Sequence, residues 1–131
     1  MGQRLRVLVA EDEFIIGCDL CHTVEEAGYI VEGPFEDLSS TMLAFQKNKP
    51  DIAILDVQLE DGIVYPLAEQ MIAENVPVIF HSGHLPLEEV SNRFPDTLAL
   101  VKPCPPGDII TQVHQTLQAE ETQPARDPAA V

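Results

Sequence analysis

Tryptophan is absent and the aromatic side chains are limited to 2 Tyr and 5 Phe, so any core must be mostly aliphatic. Basic residues are scarce too: 7 Lys and Arg stand against 22 Asp and Glu, a formal charge of −15. Such a surface repels phosphate backbones and anionic headgroups, so neither nucleic acid nor a membrane surface is an expected partner. The 3 cysteines cannot all pair. Cys18 and Cys21 form a C-x-x-C within a helical pattern, but no second Cys or His pair lies at zinc-ligand spacing, so both read as plain thiols in a reducing compartment. Cys104 lies near Lys102, whose charge would lower its pKa. The apolar stretch before Glu11 is too short for a signal segment or a membrane span, and Arg6 stands where a myristoylation motif wants Ser or Thr. A cytoplasmic protein is expected. No glycine-rich phosphate loop follows this first stretch, which disfavours a flavin or nucleotide domain.

At 131 residues the length suits one domain with its own core. Five short apolar runs read as strands: Arg6 to Ala10, Tyr29 to Gly33, Ile52 to Leu55, Pro77 to His81 and Leu98 to Val101. Helical patterns alternate with them, from Phe14 to Ala27, from Asp37 or Ser39 to about Asn48, from Val64 to Glu74, from Leu87 to Phe94, and from Asp108 to Gln118. Gly33-Pro34 is expected to end the second strand, and Asp61-Gly62 marks a turn. The domain is expected to span residues 4–118. Residues 119–131 lack a hydrophobic face and are expected to be a disordered tail.

Strands alternating with helices through short connections specify an α/β fold with a parallel sheet. The chain is too short for an eight-stranded barrel. A flavodoxin-like, doubly wound five-stranded sheet with five helices and strand order 2-1-3-4-5 fits best. Its ligands bind at the switch point between strands 1 and 3, outside their carboxyl ends. That rule alone sends Glu11, Asp12 and Asp56 to one site. Ser82 and Lys102 end the fourth and fifth runs and join them. Clustered carboxylates need a cation, and hard oxygen donors in an incomplete cage favour Mg2+. Asp12 and Asp56 would ligate directly and Glu11 through water, with a backbone carbonyl just after Asp56, that of Gln58, completing the protein share. Lys102 and Ser82 would neutralise and bond phosphoryl oxygens. A polar residue at one strand end is ordinary; the joint set carries the reading.

The motifs Val9-Ala10-Glu11-Asp12-Glu13, Leu55-Asp56, Ser82-Gly83 and Lys102-Pro103 resemble those of the receiver domain of two-component response regulators, from about Arg4 to Gln118. The resemblance implies that Asp56 accepts phosphate from a histidine-kinase phosphohistidine and that Glu11 and Asp12 hold Mg2+. It also implies that Ser82 is the switch hydroxyl, that Lys102 binds the phosphoryl group, and that the Lys102-Pro103 peptide is cis. The stretch from Pro77 to His84 is similar to a Pro-Phe-x-Phe-Ala-Thr-Gly-Tyr motif of an alphaproteobacterial subfamily, often single-domain, with His81, Ser82 and His84 as replacements. Kinases of the HWE type often accompany that group.

Most receivers carry Tyr or Phe three residues before the lysine, where this chain has Ala99. An aromatic swing there is excluded. Gln58 and His84 are expected near the rim, where they would tune how fast water attacks the phosphoryl group. The expected function is a single-domain response regulator in a phosphorelay, acting through a downstream regulator, a phosphotransfer protein or as a phosphate sink. Its interaction face would be the fourth helix, fifth strand and fifth helix, which would also support a weak homodimer. It would not be an enzyme beyond self-phosphorylation and slow autodephosphorylation. The alternatives are a phosphorylation-independent binding module, which Ala99 favours, and a Mg2+-dependent aspartyl phosphohydrolase. The latter wants an acid two residues after the nucleophile, where Gln58 stands.

Overall fold

The computed structural model describes residues 4–83 and 87–122. Along the chain run β1 (Arg6–Ala10), α1 (Phe14–Glu26), β2 (Ile30–Phe35), α2 (Leu38–Lys47), β3 (Ile52–Leu55), β4 (Gln58–Leu59) and β5 (Gly62–Ile63). They are followed by α3 (Tyr65–Ala73), β6 (Val78–Ser82), α4 (Leu87–Arg93), β7 (Leu98–Val101) and α5 (Pro106–Thr122). The main sheet has the order β2-β1-β3-β6-β7 with every pairing parallel. Counting its five strands alone, this is the expected order 2-1-3-4-5, with the switch point between β1 and β3. The most apolar strand, β3, is the central one.

Alternation along the strands sorts side chains between two layers. Val7, Val9, Ile52, Ile54 and Ile79 pack with Leu20 and Val24 of α1 and with Ile109, Val113 and Leu117 of α5. Leu8, Ala10, Ala53, Leu55, Val78 and Phe80 pack with Phe45, Tyr65, Met71, Val90 and Phe94 on the other face. The first layer is almost wholly aliphatic. The second holds an aromatic trio, with ring centroids 5.0 Å apart for Phe80 and Phe94 and 5.5 Å for Tyr65 and Phe94.

Local chemistry explains the boundaries. Gly28, at φ 102°, ends α1 in a conformation that side chains disfavour. The Asp37 carboxylate caps α2 by accepting from the Ser40 N–H at 2.7 Å. Pro66 falls in the first turn of α3, where its missing N–H costs nothing.

Two expectations need correction, and a third gains detail. β2 does not stop at Gly33-Pro34 but continues to Phe35. It is an edge strand whose register with β1 shifts between Leu8 and Ala10, so a proline without a donor fits at the irregularity. Gly33 (φ 123°) approaches the Val9 carbonyl so closely that a Cβ there would collide with it. The turn after Asp56 is a small antiparallel hairpin, β4 with β5, and Glu60 and Asp61 make its loop. Finally, α5 begins two residues early and runs to Thr122, so residues 119–122 are helical. The added Ala and Glu residues are good helix formers even without an apolar face. The rest of the expected tail, 123–131, lies outside the described residues.

Candidate functional site

Parallel pairing brings the carboxyl ends of β1, β3, β6 and β7 to one edge. The Asp56 N–H donates to the Ala10 carbonyl at 2.9 Å, which fixes Asp56 beside the end of β1. The Lys102 N–H donates to the Ser82 carbonyl at 2.9 Å and joins the other two strand ends. Continuing the alternation past each strand end puts Glu11, Asp56 and Lys102 in phase with Val9, Ile54 and Leu100, the layer shared with α1 and α5.

Lys102 is the hub. Its Nζ donates to Glu11 Oε2 at 2.8 Å, to Asp56 Oδ2 at 3.0 Å and to Glu13 Oε1 at 3.2 Å. The Glu11 and Asp56 side chains are 2% and 6% exposed, so these two pairs are shielded from water, whereas Glu13 is 59% exposed and contributes little. Burial and then Asp56 push the Glu11 carboxyl up to about 8, against the pull of Lys102. Asp12 is raised as well, by burial first and then Asp56. Burial alone would lower Lys102, yet its bonds to Glu11 and Asp56 raise it overall. One ammonium therefore holds a cluster with more negative charge than it can offset.

That excess is what a cation would relieve. Glu11, Asp12 and Asp56 each offer an oxygen, and the three lie within 4.8 Å of one another. Three hard donors at a spacing one ion can bridge fit Mg2+. Gln58 lies beside them: its N–H donates to Asp56 Oδ1 at 3.3 Å, while its side chain turns away to the Leu59 carbonyl. Ser82, half-buried, ends β6 next to Lys102. His84 lies outside the described residues.

Two side chains at the site had no role assigned from sequence. Glu13 is the third partner of Lys102, reached because α1 begins right after it. His81 is buried in phase with Ile79, with Nδ1 3.9 Å from Glu11 Oε1. Two-residue alternation was the available signal for His81. Cys104 corrects an expectation: burial and then Asp108 raise its pKa rather than lower it. Burial also pushes Cys21 up to about 12, so it is a poor nucleophile. Ala99 pairs with Phe80 across β6 and β7 and packs against the aromatic layer. The Lys102-Pro103 peptide is cis, as the resemblance implied.

No family model matches the chain. It is 31% identical over 113 residues to the transcriptional regulatory protein PdtaR of Mycobacterium tuberculosis, a match that covers 82% of this chain and 54% of PdtaR. The chain thus spans about half the length of that relative. A response regulator receiver protein from Sinorhizobium medicae superposes with a TM-score of 0.78 at 28% identity, covering 89% of this chain and 97% of that one. The chain is a CheY-like response-regulator receiver domain. Another receiver, the CheY-like protein of Methanospirillum hungatei, shares its fold with a TM-score of 0.81 at 22% identity, over 91% of this chain and 98% of that one. Receivers of this kind are signalling domains of two-component systems rather than classical enzymes, and they typically bind Mg2+ in an acidic pocket like the one at Glu11, Asp12 and Asp56. Among the described residues of this receiver, no helix is long and apolar enough to cross a membrane.

Proposed function

We propose that the chain is a receiver whose Asp56 accepts a phosphoryl group from a histidine kinase. The observation that carries this reading is the convergence of Lys102 with Glu11 and Asp56, within 3.0 Å, beside three carboxylate oxygens that one cation can bridge. Bound there, Mg2+ supplies positive charge for the carboxylates and for phosphoryl oxygens. An Asp56 carboxylate oxygen attacks phosphorus, the phosphorus–nitrogen bond of the donor phosphohistidine breaks, and an acyl phosphate remains. Glu11, Asp12 and Asp56 would hold the ion with the Gln58 backbone carbonyl, while Lys102 would take a phosphoryl oxygen and the Ser82 hydroxyl would donate to another. Gln58 and His84 tune hydrolysis.

The domain runs from residue 4 to the end of α5 at Thr122, and the protein is cytoplasmic. The kinase is of the HWE type, in keeping with an alphaproteobacterial subfamily and its Pro77 to His84 motif. The output goes through protein partners at α4, β7 and α5, through a phosphotransfer protein, or as a phosphate sink, with a weak homodimer through the same face and no nucleic acid or membrane contact. The −15 charge supports the last point. Phe80 and Phe94 pack on the side of β7 where Ala99 lies, so switching runs through shifts of Ser82, Lys102 and the adjoining backbone rather than through a ring at position 99.

Incubating the protein with Mg2+ and a small phosphodonor is expected to add one phosphoryl mass in an acid-stable, alkali-labile form, and Asp56→Asn to abolish it. An unchanged mass with both a donor and a cognate kinase overturns the reading.

A further inference from the structure

His81 is only 4% exposed, and neither ring nitrogen has a hydrogen-bond partner. Its neighbours in the layer are aliphatic: Val9, Ile54, Ile79 and Leu100 from the sheet, with Leu20 and Ile109 from α1 and α5. Buried polar groups are nearly always paired, so a bare imidazole where Leu or Val would pack calls for a cause. Glu11 is close by, with its Oε1 3.9 Å from Nδ1. Its other oxygen is already engaged: Oε2 accepts from Lys102 at 2.8 Å and from the Glu13 N–H at 3.2 Å.

An ammonium has three donors, and Lys102 spends them on Glu11, Asp56 and Glu13. Taking a phosphoryl oxygen means releasing one of these. A cation drawing on Glu11 likewise competes with Lys102 for the carboxylate. Glu11 then needs a donor behind it that is neither the metal nor Lys102, and His81 stands on that side.

We propose that His81 is a positioning residue for Glu11: a neutral imidazole with its proton on Nδ1 that closes onto Oε1 and holds the carboxylate in its cation-binding orientation. The proposal rests on the phosphoacceptor reading, because it gives His81 a purpose only if Glu11 serves a cation. Enclosure among aliphatic side chains favours the uncharged ring, which carries a single N–H. A neutral donor suits this role. A second cation there would repel the ion that Glu11 serves.

The test is calorimetric titration of the chelator-treated full chain with Mg2+ alone, comparing wild type, His81→Leu and His81→Asn, with circular dichroism to confirm that each is folded. Leucine fills the site without a donor; asparagine offers an amide N–H near the place of Nδ1. The expected result is Mg2+ affinity about 10-fold weaker for His81→Leu, the scale on which supporting hydrogen bonds act on metal sites, with most of the loss recovered in His81→Asn. Equal affinity in wild type and His81→Leu overturns the role of His81 while leaving the phosphoacceptor reading in place. Equal weakening in both variants also overturns it, since shape alone would then matter. Wild type that binds no Mg2+ removes the phosphoacceptor reading and this proposal with it.

Discussion

The two faces of the sheet are made from the same five strands yet differ in kind. The face toward α2, α3 and α4 is closed by Phe45, Tyr65, Phe80 and Phe94 and carries little polarity. The face toward α1 and α5 is aliphatic below, but at its carboxyl end the same phase of residues becomes Glu11, Asp56, His81 and Lys102. One face therefore stores stability and the other stores charge. Ala99 belongs to the aromatic face, where Phe80, its partner across the strands, provides the bulk that position 99 lacks.

The largest way to break this division is Phe80→Ala. Phe80 is 1% exposed and touches two other rings, so truncation is expected to cost about 3–5 kcal/mol in a denaturant melt. Mg2+ affinity measured on the folded fraction should stay near wild type. A variant that lost Mg2+ binding while keeping most of its stability would show that the two faces are not separable.

Lys102→Ala probes the charged face. It leaves the buried Asp56 carboxylate without its counter-ion and the Glu11 carboxyl without its donor, and a loss of about 2–3 kcal/mol is expected without metal at pH 7. The loss is put below that of a fully enclosed pair because Lys102 keeps 13% of its side chain in solvent. Mg2+ should restore more stability to this variant than to wild type. Equal restoration in both would mean that Lys102 and the cation do not share the same charge.

A third test of the charged face is a pH slope. Glu11 sits near 8 in the folded, metal-free protein against an ordinary 4.5. Between those values the folded state keeps a proton that the unfolded state gives up, so stability falls as pH rises through that window. Glu11→Gln has no such proton. In chelator, wild type should lose stability relative to Glu11→Gln as pH climbs from about 4.5 toward 8, and parallel melting profiles would contradict the raised Glu11.

Much of the fold and the site is legible in the sequence because the chain repeats one grammar: an apolar run, a polar terminus, a helix. Glu11, Asp12, Asp56, Ser82 and Lys102 stand out from that punctuation, and the switch-point rule by itself places the first three together. Punctuation also misleads. Gly33-Pro34 reads as a stop, yet an edge strand with a register shift carries it through to Phe35. The hairpin at Gln58–Leu59 and Gly62–Ile63 is too short to leave a periodic signal beyond its Asp-Gly pair. Lys102 reads as a phosphoryl ligand, and its three carboxylate partners depend on spatial neighbours that no spacing encodes. His81 is hidden for a different reason. Attention to the polar residue that ends each run passes over the one before it, although its phase already sets it against Glu11 rather than against the aromatic layer.

The central claim is that these strand ends form a single Mg2+-dependent acceptor site centred on Asp56. Its most direct test is to treat the protein with a small phosphodonor in Mg2+ and in chelator, then locate any phosphoryl group by peptide mapping. Modification is predicted at Asp56 alone and only with Mg2+. Equal labelling in chelator, or a phosphoryl group on another residue, would contradict it.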